Sequence, residues 1–262
     1  MRKLLFGLIL MMFTAFELQA QNYKAQFTAL TKEKNDTAII SLLATWENTN
    51  PNDAEFYTSA FNYYFRKSQS ELLVIAPEPN PKDDEVLSLS DTNGNIAGYI
   101  TSINDYDMEL FAKAIGYLNQ GLVVAPKRLD IWFGKIYAFG QLEMYDSFTN
   151  ALIEALGKIE QHPNDWLWTM NNPLEDAPLL IQESITAYLN QLYETEDDDL
   201  LHNMRRIGIK ALQIYPNNVA ILSTTAIANL LMKDHEQALV YLKRAEKINP
   251  EDYIVLNNIA ET

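Results

Sequence analysis

Asp91, Asn93 and Asn95 alternate along the chain as the oxygen ligands of a calcium loop do. Ile96 stands where such a loop needs glycine, and no glutamate follows at the closing position, so the triplet reads as a hairpin turn in preference to a metal site. A second acidic run, Glu194-Thr195-Glu196-Asp197-Asp198-Asp199, lacks the alternating ligands and reads as a solvated turn whose acids face a helix start. His162, His202 and His235 are far apart in sequence, and none has a second ligand-type residue at metal spacing. Trp166 and Trp168 lie two apart in an irregular stretch. If that stretch is extended, both rings face one side and could stack on a sugar or an aromatic partner, but burial under the loop is the preferred reading. The sequence holds no glycine-rich phosphate loop, nucleophile elbow or zinc-binding helix motif. No catalytic residue, cofactor or metal ligand is assigned, and the expectation is a protein that is not an enzyme.

What must carry these residues is a chain of 262 residues with 48% hydrophobic content, ample for a core. Arg2 and Lys3 followed by the mostly apolar run from Leu4 to Phe16 and by Leu18-Gln19-Ala20 predict an export signal cut after Ala20. The expected location is periplasmic or secreted, with no membrane insertion once the signal is cleaved. The sequence contains no cysteine, which excludes disulfides and a lipid-modified N-terminal cysteine. The net charge of -15 repels phosphate backbones, so nucleic acid is not an expected partner.

Prolines punctuate the helices at Pro51, Pro126, Pro163, Pro216 and Pro250, at uneven intervals that imply insertions. Tyr57, Phe61, Tyr64 and Phe65 are spaced for one helix face, and a partner helix is expected at about Asp107 to Val123. Between them, APEPNPKDD cannot be helical. Glu85 to Ser90 and Ile96 to Ile103 alternate as strands about the turn Asp91 to Asn95, which predicts a β-hairpin. A further helix is expected over Ala177 to Glu194. At Asn50-Pro51-Asn52-Asp53 and Asn249-Pro250-Glu251-Asp252 the asparagine is the expected cap, with proline in the first helical turn. Ala125-Pro126-Lys127-Arg128 breaks this pattern with basic residues, either for function or to pair with a neighbouring acidic helix.

Ala238, Leu242, Ala245 and Pro250 stand at offsets 0, 4, 7 and 12, and Met204, Gly208, Ala211 and Pro216 repeat them 34 residues earlier. This resembles the tetratricopeptide repeat. The match is closest from about Leu200 onward and fair at Ala114, Leu118, Gly121 and Pro126. It is looser at Ile39, Leu43, Trp46 and Pro51 and at Ala151, Ala155, Lys158 and Pro163, where lysine replaces the small residue. The resemblance implies an all-α fold, a right-handed α-solenoid of helical hairpins carrying the β-hairpin as an insertion. It divides the chain into a signal at 1–20, helices at 21–76, a proline-rich loop and hairpin at 77–106, and repeats at 107–262. The implied function is an exported scaffold that binds a protein or peptide in the cell envelope. Its partner-binding candidates are Ala220, Ser223, Ile227 and Leu230 on the first helix of the last complete repeat, where the carboxylate clamp of some relatives is absent. The other class in view is a carbohydrate or small-ligand adaptor that uses Trp166 and Trp168. Tyr253 to Thr262 reads as a half repeat, so either the chain continues beyond Thr262 or the bare edge docks onto another molecule, self-association included.

Overall fold

The structure, a computed structural model, describes residues 22–79 and 86–262. The stretch expected to be an export signal and much of the proline-rich stretch lie outside the described residues. The chain forms two units, Met1–Gln120 and Gly121–Thr262.

In the first unit, α1 (22–32), α2 (Asp36–Thr49) and α3 (Ala54–Ser68) run directly into a three-stranded sheet, and the chain returns to helix at α4 (Met108–Val124), whose last turn belongs to the second unit. The sheet comprises β1 (Gln69–Ala76), β2 (Leu87–Ser90) and β3 (Ile96–Tyr106) in the order β1-β3-β2, antiparallel throughout. Strands therefore begin at Gln69, inside the span expected to be helical. Leu72-Leu73-Val74-Ile75 is an unbroken apolar run that fits either period, and its β-branched pair and its pairing with β3 favour the strand. The predicted hairpin is present as β2 and β3, with β3 running on to Tyr106. Its turn is fastened by Asp91, whose Oδ1 accepts from the Asn93 and Asn95 amides at 2.8 Å each; Gly94 takes φ 86°.

The core of this unit is aromatic. Trp46 stacks on Tyr23 at 5.5 Å and meets Phe56 edge-on at 6.1 Å, and Phe56 in turn meets Tyr117 at 5.7 Å. Tyr57, Phe61 and Phe65 are buried as the spacing predicts, but Phe56 and Tyr63 are buried too, so α3 is enclosed on more than one face. The register Ile39, Leu43, Trp46 places all three side chains in the core.

The second unit is a run of helical hairpins: α5 (Leu129–Gln141) on α6 (Tyr145–Gln161), α7 (Ala177–Tyr193) on α8 (Leu201–Ile214), and α9 (Val219–Leu231) on α10 (His235–Ile248), followed by α11 (Tyr253–Glu261). One apolar core runs through it from Leu129 to Val255. The repeat register holds: Ala238, Leu242, Ala245, Met204 and Ala211 are all fully buried. Gly208 shows why small residues recur, since a Cβ there would lie 2.1 Å from Thr225 Oγ1. Lys158, at the position of Ala211 and Ala245, faces solvent, and Leu156 and Ile159 fill the core beside it.

The prolines act one step earlier than the sequence suggests. Asn50, Tyr215 and Asn249 close the preceding helices, and the cap of the next is the third residue beyond each: Asp53, Asn218 and Asp252 accept from the amides of Glu55 (3.0 Å), Ile221 (2.9 Å) and Ile254 (3.1 Å). Proline stops one helix because it offers no amide to continue it. A side-chain oxygen then starts the other.

Candidate interaction surfaces

Ala220, Ser223, Ile227 and Leu230 recur at helical spacing on α9, and the structure brings them together on its accessible side: Ala220 is exposed and the other three are half-buried. The opposite side of α9 is packed tight. Leu222 and Ala226 are fully buried, as are Thr225, whose hydroxyl donates to the Ile221 carbonyl at 2.6 Å, and Asn229, whose amide donates to the Thr225 carbonyl at 2.7 Å. Asn218 caps α9 and also donates to Gln182 Oε1 of α7 at 3.0 Å. The accessible row therefore sits on a helix fixed at its start and along its back. It offers small and apolar groups to a ligand and no charge.

The two tryptophans do not form a stacking face. Trp166 is 2% exposed and packs into the core of the second unit, while Trp168 is half-buried with its ring edge-on to Phe133 at 6.3 Å. The reason is how the inserted segment is laid down. The Leu167 amide donates to the Lys127 carbonyl at 2.9 Å and the Leu129 amide to the Leu167 carbonyl at 3.0 Å, pinning the segment across the start of α5 and turning Trp166 inward.

Lys127 and Arg128 complete this fastening. Lys127 pairs with Asp165 at the entrance to the segment. Arg128, with a side chain 0% exposed, makes a two-pronged pair with Asp130 at 2.8 Å through Nε and Nη2, and its Nη1 donates to Asn171 Oδ1 at 3.2 Å. Asn171 and its neighbour Met170 both hold positive φ, at 55° and 59°, a conformation costing non-glycine residues about 1–2 kcal/mol each. The ion pairs foreseen for this basic break are thus present, made to the loop and to α5's own first turn.

None of the candidate metal positions forms a site. Both Asp91 oxygens are occupied by Asn95 and its neighbours, whose N–H groups hold the carboxyl below the usual range. Asp197 Oδ1 accepts from the Asp199 amide at 2.9 Å, so the acidic run starts a helical turn. His162, His202 and His235 are all exposed. Among the described residues, no group of three or more histidine, cysteine or carboxylate side chains is placed to hold a metal ion.

The surface that sequence reasoning missed is the sheet of the first unit. Cross-strand pairing aligns Ile75, Ile100 and Leu87 in one row, with Leu73 beside it opposite Ser102. Leu73, Ile75 and Leu87 are 76%, 68% and 62% exposed. The other face carries Leu72 opposite Ile103, both more than 40% exposed. Gly98 belongs to this design: a Cβ there would meet Ile75 Cγ2 at 2.7 Å, so the glycine leaves room for the isoleucine. The apolar run at 72–75 was the available signal.

Burial pushes several tyrosines up from ordinary acidity, Tyr117 and Tyr188 the furthest. Tyr117, stacked on Tyr64 at 5.6 Å, is pushed up to about 12, with the Tyr64 and Glu47 charges adding to the effect. Tyr188, edge-on to Phe133 and Phe148, is pushed up by burial alone.

No protein-family model matches the chain, and no curated protein does. Solved structures similar to it include a crystal structure of YrrB, described as a TPR protein with an unusual peptide-binding site. It is 14% identical over 90% of this chain and 89% of that one, with a TM-score of 0.37. A crystal structure of MamA is 10% identical over 88% of this chain and 92% of that one, TM-score 0.40. The TPR domain of P58(IPK) is 12% identical over 93% of this chain and 64% of that one, TM-score 0.34. No described helix is long and apolar enough to cross a membrane.

Proposed function

We propose that the chain is a non-enzymatic scaffold that holds a protein or peptide partner, and that it works in the cell envelope, periplasmic or secreted. The observation that carries the first part is the α9 row of Ala220, Ser223, Ile227 and Leu230, accessible apolar surface on a helix whose other side is immobilised by packing. Such a row supplies shape and dehydration for a peptide, with the Ser223 hydroxyl as its one polar side chain and no side chain that ionises near neutral pH. The basic start and apolar run of the first 20 residues support export. The burial of Trp166 takes away the ring pair on which a carbohydrate-adaptor reading would stand.

A photoreactive amino acid placed at Ser223 in the tagged full chain, expressed in its own host, tests the binding. Crosslinks to a reproducible protein, reduced by Ile227→Asp, are the expected result. An absence of crosslinks at Ser223 and at Ala220 would sink the reading of this face. Fractionation with N-terminal sequencing of the recovered protein tests export; a cytoplasmic protein retaining Met1 would refute it.

A further inference from the structure

We infer that the outer edge of β1 takes up an extended peptide segment of another protein as a fourth strand, a segment apolar at its centre and flanked by lysine or arginine. The inference rests on the scaffold reading and names a second place where the partner is held.

The edge itself is the first argument. In the order β1-β3-β2 only one side of β1 is paired, and its register against β3 is unbroken over eight residues from Gln69↔Tyr106 to Ala76↔Tyr99. Proteins guard such edges with proline, lysine, a bulge or a short strand, because unpaired amides and carbonyls template further pairing. β1 contains no proline, lysine, bulge or shortening, and its one charged residue is the exposed Glu71 next to its helical end. The opposite edge is guarded: β2 is four residues long, and its pairing shifts between Leu89 and Ser90.

The apolar rows are the second. An added strand next to β1 would set alternate side chains beside Leu73 and Ile75 on one face and beside Leu72 on the other, covering groups now largely in water. Monomeric proteins rarely leave contiguous apolar patches above a few hundred Å² in that state.

Charge selects the occupant. The apolar stretch Leu72–Ile75 is bracketed by exposed acids, Glu71 with Asp105 and Asp107 at the helical end and Glu78 beyond the other. Among the described residues from 69 to 107 there is no lysine or arginine. Lys67, just before β1, is tied to Asp36 at 2.7 Å. A second copy of the chain would bring the same acids to the same ends and a net charge of -15 to meet -15. A segment with basic flanks meets attraction at both ends.

The experiment is selection from a random octapeptide display library against the full chain and against a Glu71→Lys, Glu78→Lys variant, with amide hydrogen exchange locating what binds. The expected result is enrichment of peptides with apolar centres and basic flanks, slowed exchange in β1, and at least tenfold weaker retention by the variant. Enriched peptides held equally by the variant, or slowing exchange on α9 alone, overturn the edge proposal and leave the scaffold standing. Failure to enrich any peptide overturns it too; the scaffold then falls only if crosslinking at Ser223 also fails. A concentration-dependent dimer with protected β1 assigns the edge to a second copy and overturns the proposal as well.

Discussion

The two units fill their interiors by opposite means. In the second, helices approach until only glycine or alanine fits, and Gly208 lies against Thr225 with no room for one more carbon. In the first, rings span the gaps, from Tyr23 through Trp46 and Phe56 to Tyr117. Close approach demands a small residue at a fixed offset, so the repeat register shows in the sequence. Filling by rings places few constraints on spacing, which is why the first unit matches the repeat pattern loosely and still packs it.

The largest test of this contrast is Trp46→Ala. It empties a fully buried site and removes the bond from Nε1 to Asp53 Oδ2 at 2.8 Å, and it should cost about 3–5 kcal/mol in denaturant unfolding. A loss below about 1 kcal/mol would show that the rings merely line the unit. Arg128→Ala should come next, at about 3 kcal/mol, because it strands Asp130. Removing both charges with Arg128→Met and Asp130→Asn should recover much of that, and a double-mutant cycle reads the difference.

Glycines sharpen the comparison. Gly208→Ala should destabilise by about 1–3 kcal/mol through overpacking. Gly116→Ala in α4, where nothing lies within 4 Å of the added carbon, should stabilise by about 0.5–1 kcal/mol. Equal effects in thermal melts would refute the difference in packing. In alkaline titration, Tyr117 has a folded pKa of about 12 against an ordinary 10.0. Its contribution is therefore fully present below pH 10 and lost as the pH climbs through 12. Tyr117→Phe should shrink the stability loss in that window. The smallest effect belongs to the sheet: Leu73→Ser with Ile75→Ser should change stability by no more than about 0.5 kcal/mol, since both side chains stand in water. A larger loss would mean that the sheet's apolar rows support the unit's own fold.

These sites also mark what could be read from residues alone. Offsets of small residues and proline gave the helical hairpins, and the acidic turn at Asp91 gave the hairpin of β2 and β3. The strand β1 was not legible, because Leu72 to Ile75 is apolar at every position and carries no period. Burial of Trp166 under the loop was the preferred reading, but the contact that produces it was not legible. Its burial follows from the hydrogen bonds of Leu167 to residues nearly forty positions earlier, a contact that no local pattern encodes. Of the candidate surfaces, the α9 row was legible from repeat spacing, while the apolar sheet required the cross-strand register.

The sheet leaves and rejoins the helices at neighbouring points: the Asp107 amide donates to the Ser68 carbonyl at 2.8 Å, and Gln69 stands opposite Tyr106. For α3 and α4 the 38 residues between Ser68 and Asp107 occupy the place of a short turn. Such a segment is an exchangeable cassette. Its apolar rows can vary with little repacking of the helices, whereas its root cannot, since Tyr106 stacks on Phe65 of α3 at 6.4 Å and Thr101 is buried.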